Sequence, residues 1–157
     1  MKLHNYEIKV EWTGNLGKGT QDYKAFTRDH VISGENKSAF IEGSSDPSFL
    51  GDKSRYNPEE LLVSSISSCH MLWYLHLCAV NKIVVISYVD SATGTMEEQA
   101  NGSGRFKEVI LNPTIIIKNS DKINRAQELH PEANKMCFIA NSCNFPIMHH
   151  AKITSED

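Results

Sequence analysis

Residues 57–79, NPEELLVSSISSCHMLWYLHLCA, limit what this chain can fold into more than any other segment. Asn57 can accept hydrogen bonds from first-turn amides, and proline is favoured at the first helical position. Glu59 and Glu60 then put negative charge at the positive end of the helix dipole. The helix that starts here is predicted to run to about Val80, with Asn81-Lys82 ending it. Its middle is apolar on nearly every side, relieved by serines at 64, 65, 67 and 68, which is the profile of a central helix buried all round. One small domain needs fewer apolar faces than this, so a second copy of the chain is expected to cover the remainder.

The segments around the helix alternate in polarity as strands do. Residues 5–12 (NYEIKVEW) read as a half-buried strand, and the glycine-rich turn from Gly14 to Gly19 leads to a second strand near 22–33. The piece AFIEG (39–43) is a third strand before a loop rich in Gly, Ser, Asp and Lys. After the helix, residues 83–98 and 104–118 read as a long hairpin turning at Gln99 to Ser103. Ser120-Asp121 can start a second helix with Ile123, Ala126, Leu129 and Ala133 on one face. Pro131 should kink it, and Cys137 falls at or just past its end. Phe145 to Ile153 reads as a closing strand. The predicted order β-β-β-α-β-β-α-β makes a single α+β domain over 1–157, with helices packed on curled antiparallel sheet.

Composition removes several classes of function. Sixteen basic and 19 acidic residues are mixed along the chain for a net charge of −3, so no basic stripe is available to neutralise phosphates, and nucleic acid is not an expected partner. No signal peptide and no membrane span are predicted, which makes the cytosol the expected compartment. In that reducing setting four cysteines are not a structural disulfide framework, which leaves buried filler, metal ligation or redox chemistry.

Cys69 lies in the apolar helix just after four serines, a more polar neighbourhood than an inert core thiol needs. Reactivity requires the thiolate, and a thiolate in an apolar site needs a nearby cation. Arg28 and Arg55 are the candidates, although either could be a solvated surface charge. Glu59 precedes Cys69 by ten residues, about 15 Å along a straight helix, so it either stabilises the helix start or reaches the site through an arginine or a second subunit. Cys137 and Cys143 are spaced unlike a structural zinc pair, and Cys78 adds no regular ligand set. The histidines at 30, 70, 76, 130, 149 and 150 form no zinc-helix pattern. His70 and His76 read as hydrogen-bonded core residues, and His70, adjacent to Cys69 on a helix, cannot readily serve it as a base.

The run 57–79 resembles the OsmC/Ohr family of organic hydroperoxide-reducing proteins, whose motif is Asn-Pro-Glu, a small and apolar run, and then the nucleophilic cysteine. The spacing from Glu59 to Cys69 matches that motif without a gap, and VEWTGNLGKGT (10–20), GSGRFKEVILNPTI (102–115) and MCFIANS (136–142) extend the resemblance. It implies an OsmC-like fold, an intertwined homodimer and a thiol peroxidase. In that reading Cys69 is the peroxidatic nucleophile, Cys137 resolves it as a disulfide, and Glu59 orients a catalytic arginine, Arg28 first and Arg55 second, because the early turn offers Lys18 instead. The implied substrate is an organic hydroperoxide and the implied reductant an external dithiol such as a lipoyl group, with no metal or bound cofactor required. Leu72, Trp73, Phe138 and Ile139 would line an apolar pocket or serve as plain core. Cys143, in a turn-like stretch before Pro146, is expected to lie farther from Cys69 than Cys137 does. The rival readings are a catalytically silent domain binding an apolar ligand, and a thiol redox sensor that turns over poorly.

Overall fold

The computed structural model describes residues 1–156 and is an α+β structure of nine strands and two α-helices. Its contacts gather into two compact units, Met1–Leu61 and the chain from Leu62 onward.

The first unit is built on a three-stranded antiparallel sheet of β1 (Lys9–Trp12), β2 (His30–Ser33) and β3 (Ile41–Gly43). The first two strands are shorter than the polarity alternation suggests. The chain between them is held by Asn15, whose side-chain oxygen accepts from the amides of Gly17 and Gly19 at 2.9 and 3.0 Å, and by an isolated bridge from Asn15 to Phe26. All four residues of β1 are exposed, as are the apolar side chains of Tyr6, Ile8 and Val10 before and within it.

Helix α1 (Pro58–Val80) begins in the first unit and continues through the second. Its start is a reciprocal cap: the Asn57 side chain accepts from the Glu60 amide at 2.8 Å, and the Asn57 amide donates to Glu60 Oε2 at 3.0 Å. Its end is a Schellman turn. Lys82 takes a left-handed φ of 57°, its amide donates to Ala79 at 3.0 Å, and the Ile83 amide donates to Cys78 at 2.9 Å. Contrary to the expectation of burial all round, only the stripe Ile66, His70, Tyr74, Cys78 is buried within one chain. Leu72 and Val80 are exposed. By length and composition α1 is also apolar enough to cross a membrane, with a mean hydropathy of 1.3, which corrects the expectation that no run reaches that measure. Core helices meet the same criterion, and here Tyr74 and Cys78 enter one packed core and Ile66 another.

The predicted long hairpin is four strands shared between two sheets. β5 (Thr93–Glu98) pairs with β6 (Gly104–Leu111) across the expected turn, whereas β4 (Val85–Asp90) pairs with β7 (Pro113–Ile117). Asp90 fixes the point where the chain changes sheets by accepting from the Asn112 amide at 2.7 Å and from Ser67 Oγ of α1. A short 3-10 turn at Ser120–Lys122 precedes α2 (Ile123–Met136), which carries Pro131 inside it. The closing segment is two strands, β8 (Ile147–His149) parallel to β6 and β9 (Lys152–Ser155) parallel to β7, so neither sheet of the second unit is purely antiparallel. The buried residues of β7 alternate, with Ile115 and Ile117 meeting Tyr74 and Cys78 of α1 and Ala126, Leu129 and Ala133 of α2. Val109 and Leu111 of β6 make a separate core with Ile66.

Candidate functional site

Cys69 and Cys137 meet in the second unit. Cys69 is half-buried in the middle of α1, and Cys137 is fully buried at the residue that caps α2. The Cys137 thiol is pushed up to about 11, first by burial and then by its hydrogen bond with Cys69. The Ala140 amide opposes this by donating to Cys137 Sγ at 3.4 Å. The buried Cys137 sulfur therefore keeps its proton at neutral pH, whereas Cys69 is only half-buried. Both cysteines are unbridged.

Cys143 lies elsewhere. Its thiol donates to the Ile139 carbonyl at 3.3 Å, and the side chain packs with Phe145 and Ile147 beside Val109 and Leu111. Burial raises its pKa. Cys78 is core: it packs with Ile83 and Ala126, and burial raises its pKa as well.

An apolar surface runs from Cys69 along α1. Residues three, four and seven positions on share its side of the helix, and these are Leu72, Trp73 and His76, which line a shallow cavity of about 240 Å³. Trp73 stands edge-on to His76 and to Phe138, with ring centroids 5.7 and 5.8 Å apart. Leu72 and Phe138 are 63% and 65% exposed, so this is an accessible surface and not interior packing. Ile139 does not join it but turns to the core around Ile66, because the chain coils into a 3-10 turn at Ala140–Ser142.

Arg28, Arg55 and Glu59 belong to the first unit. The Arg28 guanidinium donates to the carbonyls of Phe26 and Tyr23, both at 2.8 Å, and lies 4.3 and 4.4 Å from the centres of the same residues' rings. It has no carboxylate partner among the described residues. Arg55 is surrounded by Glu42 at 3.4 Å, Asp52 at 3.8 Å and Asp29 at 3.9 Å. Glu59 is half-buried in the first turn of α1 and pairs with no cation among the described residues.

A second constellation is built on His70, which is the hydrogen-bonded core residue expected, whereas His76 is exposed. The partners of His70 went unread in the sequence. His70, on the inward side of α1, meets His130 of α2, with Nε2 and Nδ1 3.0 Å apart, and both rings lie near His149 of β8. Burial is the main reason that His70 and His130 are held down to about 4 and about 3. The available signal was helical spacing, since His130 shares the face of Ala126, Ala133 and Cys137. Among the described residues no group of three or more His, Cys, Asp or Glu side chains is placed to hold a metal ion.

The family described as OsmC-like protein matches residues 51–150. An OsmC-like protein of unknown function from Vibrio cholerae superposes with a TM-score of 0.85 at 26% identity, covering 96% of this chain and 100% of that one. An organic hydroperoxide resistance protein from Elizabethkingia anophelis gives 0.67 at 20% identity, covering 98% and 99%. A protein from Legionella pneumophila described as organic hydroperoxide resistance protein OsmC gives 0.69 at 15% identity, also covering 98% and 99%. These last two similarities speak for the fold alone. No curated protein sequence matches the chain.

Proposed function

The chain belongs to the OsmC-like family, and on that premise we propose that it is a thiol peroxidase acting on organic hydroperoxides through Cys69 and Cys137. The observation that carries the reading is the pairing of a half-buried thiol in the middle of α1 with a buried, protonated one beside it at the end of α2. Two proteins that share its fold are described as organic hydroperoxide resistance proteins, which supports the reading.

The Cys69 thiolate attacks the distal peroxide oxygen, the O–O bond breaks, and the departing alkoxide takes a proton to become an alcohol. Cys69 is left as a sulfenic acid, two electrons more oxidised. Cys137 then attacks that sulfur. Its proton leaves with the sulfenic hydroxyl as water, and the Ala140 amide favours the sulfur's developing negative charge. A dithiol such as a lipoyl group reduces the Cys69–Cys137 disulfide and is itself oxidised to a disulfide, and the cytosol would supply it. The surface of Leu72, Trp73 and Phe138 favours a substrate with a hydrocarbon body over hydrogen peroxide.

Arg28 is the better candidate for holding the thiolate, because Arg55 is already matched by three carboxylates whereas Arg28 has no carboxylate partner among the described residues. Within the proposed homodimer, Glu59 would orient that guanidinium. The exposed apolar side chains of the first unit and of α1 support a second copy as their cover.

Steady-state reduction of an alkyl hydroperoxide by a dithiol, compared with hydrogen peroxide, tests the reading. Wild-type protein should prefer the organic substrate, and Cys69→Ser should lose activity while remaining folded, since serine forms no thiolate at neutral pH. Activity retained in Cys69→Ser, or none in wild type, overturns it.

A further inference from the structure

The histidine pair lies between the two helices that carry the thiols, and its place in the chain is informative. His70 directly follows Cys69, and His130 precedes Cys137 by seven residues, two turns of α2, and so lies on the same side of that helix. His70 and His130 are 1% and 0% exposed. Their planes are 8° apart and their centroids 5.3 Å apart, so the two rings meet edge to edge along the Nε2–Nδ1 bond, and His130 stacks on Tyr74 at 4.1 Å. The remaining nitrogens, His70 Nδ1 and His130 Nε2, have no hydrogen-bond partner among the described residues. Their mutual bond is thus the polar contact these rings make in the interior.

From this geometry we infer that His70 and His130 are a positioning pair, which sets the register of α1 against α2 and thereby holds Cys69 opposite Cys137. The inference rests on the Cys69–Cys137 reading above. Elsewhere the facing surfaces are Tyr74, Cys78, Ala126, Leu129 and Ala133. Such apolar contact is non-directional and resists sliding only weakly. A hydrogen bond at 3.0 Å does not tolerate displacement in the same way, and a slide of one residue along a helix, about 1.5 Å, would break it. Arg125 Nε donates to Asn81 Oδ1 at 3.1 Å beyond the end of α1, far along the helices from the thiols. The histidine bond is one residue from Cys69, and a disulfide closes only within a narrow range of backbone separation.

Three variants at one position separate register from bulk. His130→Asn keeps a hydrogen-bonding atom at the place of Nδ1. His130→Gln keeps the capability but moves it by one methylene, and His130→Phe keeps the ring and removes the bond. Each is treated with one equivalent of cumene hydroperoxide, with sulfenic acid trapped chemically and the disulfide mapped by mass spectrometry. Each is also treated with diamide, which closes a dithiol by accepting two electrons and two protons and needs no peroxidase chemistry. Sulfenic acid formation should stay within about twofold of wild type in all three, since Cys69 itself is unaltered. Disulfide closure should slow by about tenfold to a hundredfold in the Gln and Phe variants and recover in the Asn variant. Equal closure in the Gln and Asn variants overturns the inference, and that comparison decides the matter even where the Phe variant fails to fold. Wild-type closure by diamide but not by peroxide would overturn the peroxidase reading and leave the positioning pair to be judged on the diamide rates. Closure by neither would overturn both.

Discussion

Cys137 caps α2 with its sulfur against Cys69, whereas Cys143, six residues on, points its thiol at the Ile139 carbonyl. Removing each has a different consequence. Cys143→Ala should leave turnover within about threefold of wild type, because it deletes a thiol packed in a separate core. Cys137→Ala should leave Cys69 as sulfenic or more oxidised acid after one peroxide equivalent. Peptide mapping of the oxidised protein decides between them, and a dominant Cys69–Cys143 crosslink would reverse the assignment. His70 carries a related lesson. A neighbour of Cys69 in sequence, it points into the core and away from any role as its base, because adjacent helical side chains diverge by about 100°.

At the scale of the element, α1 begins and ends with different economy. Its start satisfies two backbone groups through Asn57 and Glu60. Its end places a lysine at φ 57°, a conformation that L side chains adopt with strain and glycine adopts freely. The Lys82 carbonyl accepts from Lys122 Nζ at 2.7 Å, a backbone contact that survives loss of the side chain. Lys82→Gly should therefore raise stability by about 0.5–1 kcal/mol in chemical denaturation. A lower denaturation midpoint would mean that the lysine side chain contributes more than its backbone strain costs.

For the molecule as a whole, the buried histidines link stability to pH. Folding holds both below the ordinary value of 6.5, so the unfolded chain binds more protons once pH falls below 6.5. Stability should accordingly be complete above that pH and fall from 6.5 toward about 4, by roughly 1.4 kcal/mol per pH unit for each histidine charged only when unfolded. His149 and Tyr74 are titratable groups beside the pair, and Tyr74 stays neutral throughout that range because burial raises its pKa. Urea titrations across this interval check the slope, and a variant with His70 and His130 both replaced should show a shallower one. The exposed apolar side chains of β1 and α1 lead to the second expectation at this scale, a homodimer in light scattering. A stable and active monomer would contradict it.

The limits of α1, the alternating strands and the candidacy of Cys69 were legible in the amino-acid sequence, because capping, periodicity and the polarity around a thiol are local properties carried by neighbouring residues. The α+β class follows from the order of those elements. Tertiary structure decided what depends on residues far apart in the chain. It divided residues 83–118 between two sheets, and it laid β8 and β9 parallel to strands some forty positions earlier. It buried one stripe of α1 where every side is apolar enough to be buried. It also brought His130 to His70 across sixty residues and Cys137 to Cys69 across sixty-eight. Local pattern states which side chains prefer the interior, but which of them meet there is settled only when both helices pack on the same sheet.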